Sequence, residues 1–382
     1  MKLHTTLRAA SAMTLTLGVG LFTFAGSASA TSSKGSQDQE HAVFLETDAA
    51  SGNAVLSYHR ATDGTISFAG SFSTGGNGAT ASGATADPLA SQGGLTLVND
   101  NRELIATNPG SDTLSVFSVD GTRLDLVQQI SSQGLFPDSV ASYGKYVTVV
   151  NAGGAGSVAE FTIKDGRLAL LPDQVRSLGL TNTTPPDFHH SAGQVGYSPD
   201  GQHLVITTKL STNAYDVFSV GDHGTLGAAP VVTPAVNALP FAFVFDAAGN
   251  VVAAEASNSS VTTYRLNGNG TLTSLGTVSD GAAALCWIST ANGYFFGSNA
   301  GSASLSSFTE NAVGAPQLVN AVAASTHAGT TDSVVSPDAK YLYVESGGAG
   351  TVDVFAVSAT GSLSPIETVF NVPPASEGIA AS

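Results

Sequence analysis

The sequence predicts an all-β fold: a seven-bladed β-propeller of four-stranded antiparallel blades, closed by a C-terminal strand that completes the N-terminal blade. Three observations carry that reading. One short phrase recurs seven times, hairpin-turn residues follow its copies, and the last residues resemble the strand that the first blade lacks.

The phrase is an apolar strand, a polar turn rich in Asn and Gly, then Ser or Thr, an apolar residue and a closing aromatic. It reads LETDAASGNAVLSY (45–58), TNPGSDTLSVF (107–117), VNAGGAGSVAEF (150–161) and TTKLSTNAYDVF (207–218). It continues as AEASNSSVTTY (254–264), GSNAGSASLSSF (297–308) and VESGGAGTVDVF (344–355). The closing aromatics Tyr58, Phe117, Phe161, Phe218, Tyr264, Phe308 and Phe355 stand about 50 residues apart on average, the length of one four-stranded blade. After most of them comes a turn and another strand, as in DGTRLDLVQQI, DGRLALLPDQV and NGTLTSLGTV. The Asp-Gly and Asn-Gly pairs tolerate the positive φ of tight hairpins. A further strand precedes the phrase, as in VGYSPDGQHLVITT and SVVSPDAKYLYVE. The chain enters its first blade at the second strand, HAVFLETD (41–48), and ends in SEGIAAS (376–382), which resembles the first strands of other blades. Pairing the two ends leaves no open edge.

Ahead of the propeller (41–382) lie two other segments. Residues 1–30 read as a secretory signal: Lys2 and Arg8, an apolar stretch from Met13 to Ala25, and small residues at Ala28 and Ala30. The apolar stretch is too short to span a membrane, and no later segment is long enough. Residues 31–40 form a polar lead-in. A secreted, extracellular protein is therefore expected. Its formal net charge of −16 falls further when Lys2 and Arg8 leave, which argues against nucleic acid as a partner. The single cysteine, Cys286, allows no internal disulfide, so stability must come from the packed repeats. A monomer acting on a small-molecule substrate or ligand is expected.

In a propeller the innermost strands line a central channel. The loops leading into them share one face with the hairpins between second and third strands. Read by register, the ends of the second strands place Asp48, Asn108, Asn151, Lys209, Glu255, Asn299 and Glu345 around the channel mouth. For the asparagines, a turn residue in left-handed backbone is the plain alternative. For Lys209 and Glu255 it is an inter-blade ion pair. The loops PPDFHHSAGQ (185–194) and STHAGTTDS (325–333) bring Asp187, His189, His190, His327 and Asp332 to the same face, and His suits acid–base work near neutral pH. No Gly-x-Ser-x-Gly elbow, His-Glu-x-x-His motif or cysteine pair occurs, so no serine-hydrolase site, metal or cofactor is expected. A Ca²⁺ ion on oxygens of Asp48, Glu345, Asn151 or Asn299 is the alternative.

The blades YSPDGQHLVITT…DVFSV and SPDAKYLYVESGGAGTVDVFAV resemble the YVTN-like repeats of the lactonase family of seven-bladed propellers, which includes 6-phosphogluconolactonases and fungal carboxymuconate lactonizing enzymes. The resemblance covers nearly all of 41–382 and lacks the Gly-His and Trp-Asp signature of WD40 repeats. It implies a hydrolase in which Glu255, on the family's catalytic-type glutamate, activates water or relays a proton. His190 would share the acid–base work, and Lys209 would stabilise the oxyanion. His189, Asn151, Asn299, Phe241, Glu345 and His327 would contact substrate. Two arginines of the lactonizing enzymes are replaced here: Phe241 stands in LPFA and Ala300 in SNAG. A tricarboxylate or sugar phosphate needs several fixed cations, so the expected substrate is a neutral or weakly charged lactone or ester. The competing reading is a non-catalytic extracellular propeller that binds a small ligand, glycan or protein. The missing arginines favour it; Glu255 and the histidine pair favour the enzyme.

Overall fold

The computed structural model describes residues 41–382; the leader (1–30) and lead-in (31–40) lie outside the described residues. Seven four-stranded antiparallel sheets follow in chain order. In blade 1 the C-terminal strand Ile379–Ala381 is innermost and pairs with His41–Glu46, Val43 lying opposite Ala381, so the ring closes as the sequence predicts.

The middle strands are buried on both faces. Glu103–Asn108 and Tyr341–Ser346 are buried along their whole length, whereas the outer strand Arg123–Ser131 is largely exposed. Each middle strand lies between two neighbouring sheets, so it is written in Val, Ile, Leu and small residues with little charge.

The repeated aromatics do one job seven times. Each lies in a separate apolar cluster between its own blade and the preceding one: Tyr58 against blade 7, Phe117 against blade 1, and so on to Phe355 against blade 6. In six blades the ladder to the outer strand slips directly before that aromatic, as between Val116 and Phe117 or Val354 and Phe355. Such bulges twist the outer edge and blunt it against edge-to-edge pairing.

Blade 4 departs from the pattern. Its outer strand is only Val231–Pro234 and pairs without a slip, and a single helical turn, Lys209–Thr212, replaces the tight turn between the second and third strands. Among the described residues no helix is long and apolar enough to cross a membrane.

Candidate functional site

Two long segments cover the face on which the inner strands begin: 74–94, between blades 1 and 2, and 178–193, between blades 3 and 4. They hold each other, since Ser82 N–H donates to Pro186 O (2.8 Å) and Phe188 N–H to Ser82 O (2.9 Å). Residues 91–93 bridge the channel. The Ser91 hydroxyl donates to Asp138 O in blade 3 (2.6 Å), and Ser91 O accepts the Trp287 indole N–H of blade 6 (2.7 Å). The Gln92 amide exchanges hydrogen bonds with the backbone of Ile288 (3.1 and 3.2 Å). Ala81, Leu89, Ala90, Phe136 and Ala152 form an apolar cap, with Phe188 packed against it.

Beneath this cover lies Lys209. Its backbone is left-handed (φ 44°), at the start of the helical turn that joins the second and third strands of blade 4. The side chain is wholly buried, and Nζ donates to Ala90 O (2.5 Å). The ammonium stands 5.0 Å from the ring centre of Phe241 and 5.4 Å from that of Phe188. Burial lowers its pKa to about 8, opposed by the charges of Asp138 and Asp87. Asp87 is held by the N–H groups of Leu89 (3.0 Å) and Ala90 (2.7 Å), both on Oδ1; no donor reaches Oδ2. Burial raises its pKa to about 7 against those bonds and the pull of Lys209.

Other buried carboxylates share the chamber. Asp138 and Asp332 lie on the innermost strands of blades 3 and 7, Glu46 and Asp48 at the end of blade 1's second strand, Glu345 in blade 7, and Glu377 just before the closing strand. Burial raises Asp332 to about 7 and holds the others well above the usual carboxylate range. The charge of Asp87 adds to the upward shift of Glu377. Behind Gln92, Gly93 and Asp332 a cavity of about 350 Å³ runs along the inner strands past Tyr197 and Phe243.

The residues expected to form the site separate into three groups. Lys209 and Phe241 belong to the chamber, and Phe241 also packs on Trp287 at 4.9 Å. His189 and His190 sit on the covering segment beside it: His189 O accepts Leu210 N–H (2.9 Å), while His190 Nδ1 pairs with Asp187 at 2.7 Å, half-exposed. Glu255 lies apart, between blades 4 and 5. Its carboxylate accepts the hydroxyls of Tyr264 (2.8 Å), Tyr215 (3.1 Å) and Thr262 (2.7 Å). Among the described residues no hydrogen bond or ion pair joins Glu255, His190 and Lys209, so neither the expected catalytic trio nor the Lys209–Glu255 ion pair is assembled. Each side chain has partners of its own.

The asparagines also differ from expectation. Of the seven second-strand positions, Asp48 and Lys209 have left-handed backbone; Asn108, Asn151 and Asn299 do not. Their amides brace the hairpins instead: Asn108 donates to Ser115 (2.8 Å), Asn299 to Ser306 (2.8 Å) and Asn151 to Ser132 O (3.1 Å). Glu255 with Thr262 and Ser346 with Asp353 repeat the seven-residue span of the Asn108 and Asn299 braces. Glu345 pairs with Val352, one position before that register. A one-residue step moves a side chain to the other face of a strand, which accounts for Glu345 meeting the chamber. His327 is pinned to the rim of blade 7 by Asp353 (2.9 Å).

Asp87, Asp138 and Glu377 escaped sequence reasoning because they lie outside the repeated phrase. One signal was available: Asp-Ser-Val occurs twice, at 138–140 and 332–334, each time on an innermost strand. Among the described residues no three His, Cys, Asp or Glu side chains stand in metal-coordinating geometry.

The fold and the chamber define a propeller whose channel mouth is closed over a buried, polar site. The sequence pattern of the lactonase family, described as a 7-bladed beta-propeller, matches residues 40–177 and 251–378, and the chain belongs to that family. The unmatched stretch contains the second covering segment, blade 4 with Lys209, and Phe241. Among curated proteins no relative matches significantly. The periplasmic gluconolactonase of Pseudomonas aeruginosa is a similar solved structure (TM-score 0.68, 20% identity, 89% of this chain and 98% of that one). So is a candidate 6-phosphogluconolactonase of Bacteroides fragilis (0.69, 19%, 92% and 100%). A Lactobacillus plantarum protein gives 0.71 at 19% identity, covering 90% and 99%.

Proposed function

We propose that this chain is an exported lactone hydrolase whose reaction takes place at Lys209, beneath the two covering segments. The observation that carries the reading is a fully buried ammonium between carboxylates and two aromatic rings. Asp87 Oδ2, free of donors, takes a proton from water as the water attacks the lactone carbonyl. Lys209 stabilises the oxyanion. Collapse breaks the ring C–O bond, and the proton on Asp87 passes to the leaving alkoxide, giving a hydroxy acid. An acidic chamber with Phe241 and Ala300 at the positions of the family's arginines disfavours anionic lactones. The charged, then apolar, then small-residue leader supports export.

Lys209 and Asp87 are sealed, so substrate enters only when 74–94 or 178–193 moves. That seal also favours a second reading, a propeller that binds without turnover. A panel of neutral and anionic lactones, followed by proton release, separates the two. The hydrolase reading expects neutral lactones to be opened, with Asp87→Asn losing about 10²-fold or more in rate. Absence of turnover on every lactone leaves the binding propeller. Determining the N-terminus of protein recovered from the medium tests export: a start near residue 31 supports it, and an intact leader contradicts it.

A further inference from the structure

The two covering segments are not held alike. Segment 74–94 is tied to the blades at both ends. Asn53 N–H donates to Gly76 O (2.9 Å) and Gly78 N–H to Ala49 O (3.0 Å); at the other end Val140 N–H donates to Gly93 O (2.9 Å) and Thr107 N–H to Gly94 O (3.1 Å). The Ser139 hydroxyl donates to Gln92 O (2.7 Å), and Ser91 and Gln92 carry the segment on to Trp287 and Ile288 in blade 6. Its middle leans on blade 7: Ala86 O lies so close to Gly347 that a Cβ there would come within 2.2 Å of it.

The outer part of the second segment, 184–192, is bound mainly to itself, with Asp187 as its hub. Asp187 Oδ1 accepts the His189 N–H (3.0 Å) and pairs with His190 Nδ1 (2.7 Å). Asp187 O accepts the N–H groups of His190 (3.0 Å) and Ser191 (3.1 Å). Among the described residues, 184–192 makes three hydrogen bonds outside its own segment, all through backbone: two with Ser82, and one from Leu210 N–H to His189 O (2.9 Å). A unit that keeps its internal bonds and gives up few external ones opens as a body. Its ends are pinned, since Gly154 N–H donates to Thr183 O (3.0 Å) and Gly193 N–H to Thr207 O (2.9 Å).

Phe188 links this unit to the chamber. Its ring lies 6.5 Å from that of Phe241 and 5.4 Å from Lys209 Nζ, centre to centre and centre to atom. Phe241 and Lys209 are wholly buried and Phe188 is only partly so, which makes the Phe188 ring the layer between ammonium and solvent on this side. Phe241 belongs to the inner strand Pro240–Phe245 and packs on Trp287, so it stays in place. We infer that Phe188 is the gate residue of the chamber: 184–192 swings out between Thr183 and Gly193 while 74–94 holds still, and the Phe188 ring limits the bulk of what reaches Lys209. That the ligand admitted is a lactone rests on the hydrolase reading; the gate itself does not.

The gate is tested on the full chain without reading turnover. Acetic anhydride acylates a neutral amine that it can reach, and peptide mass spectrometry follows Lys209 against the exposed Lys145 and Lys164. Relative to those two, Phe188→Ala should speed acylation of Lys209 at least about tenfold, Phe188→Leu by less, and the bulkier benzoic anhydride should gain more than acetic anhydride. In the unmodified chain the Ser82 and Phe188 amides should exchange hydrogen together, at least about tenfold faster than those of Gln92 and Val140. Acylation of Lys209 no faster in a folded Phe188→Ala protein overturns the proposal. So do Gln92 and Val140 amides that exchange as fast as Phe188, a result that needs no variant to fold. An equal gain for both anhydrides overturns the limit on bulk. Faster acylation with no lactone opened by either protein supports the gate and removes the hydrolase reading.

Discussion

At the residue scale, Glu255 and Asp87 are both buried carboxylates at one end of a propeller, yet their surroundings assign them different work. Glu255 accepts four hydroxyl groups, from Tyr215, Tyr264, Thr262 and Ser260, and occupies a brace position that Asn108 and Asn299 fill in other blades. Gln keeps one acceptor oxygen, and its amide N–H₂ can donate to hydroxyls that turn to accept, so Glu255→Gln should melt closer to the unmodified chain than Glu255→Ala and keep turnover. Glu255→Ala should lose about 1–3 kcal/mol, because it strands buried hydroxyls. Loss of turnover in Glu255→Gln at unchanged melting temperature would return Glu255 to the catalytic centre. Asp87, by contrast, keeps one oxygen free beside Lys209. The reaction needs Asp87 ionised and Lys209 protonated, so kcat/KM should rise through about 7 and fall through about 8. A rate unchanged across that range would contradict these roles.

At the scale of the element, the repeated phrase explains itself once the blades are assembled. Its apolar strand is the buried middle strand, its Ser or Thr receives the brace, and its aromatic fills the cleft to the preceding blade. Phe161 is fully buried there, so Phe161→Ala should cost about 3–5 kcal/mol in a denaturant melt. A cost below about 1 kcal/mol would mean that the repeat is not what joins the blades. The blades were legible in the sequence because one demand, burial between two sheets, recurs at fixed spacing. The chamber was legible only in part. Lys209 and Glu345 lie near the repeat and could be nominated by register, although a one-residue offset gives Glu345 a different environment from Glu255. Asp87 and Glu377 lie in connecting segments without a period, and only the closing of the ring brings them together.

For the whole molecule, closure concentrates negative charge. Strands from the two ends of the chain meet in blade 1, and the seam brings Asp48, Glu345 and Glu377 into one buried region. Burial raises Asp87, Asp332 and Glu160 to about 7 each. In the unfolded chain such groups release their protons at about pH 4, so between about pH 4 and pH 7 the folded state holds more protons. Their stabilising contribution is complete below that window and falls as pH rises through it. The melting temperature should therefore be lower at about pH 8 than at about pH 5; a rise over that interval would contradict this charge balance. The covering segments 74–94 and 178–193 complete the design by sealing Lys209 from solvent, which strengthens every charge interaction inside. The most direct test of a hydrolytic centre under that seal is the rate at which the purified chain and its Lys209→Met variant open a neutral lactone. Measurable turnover is expected, reduced about 10²–10³-fold in the variant. Equal rates in the two proteins would contradict it.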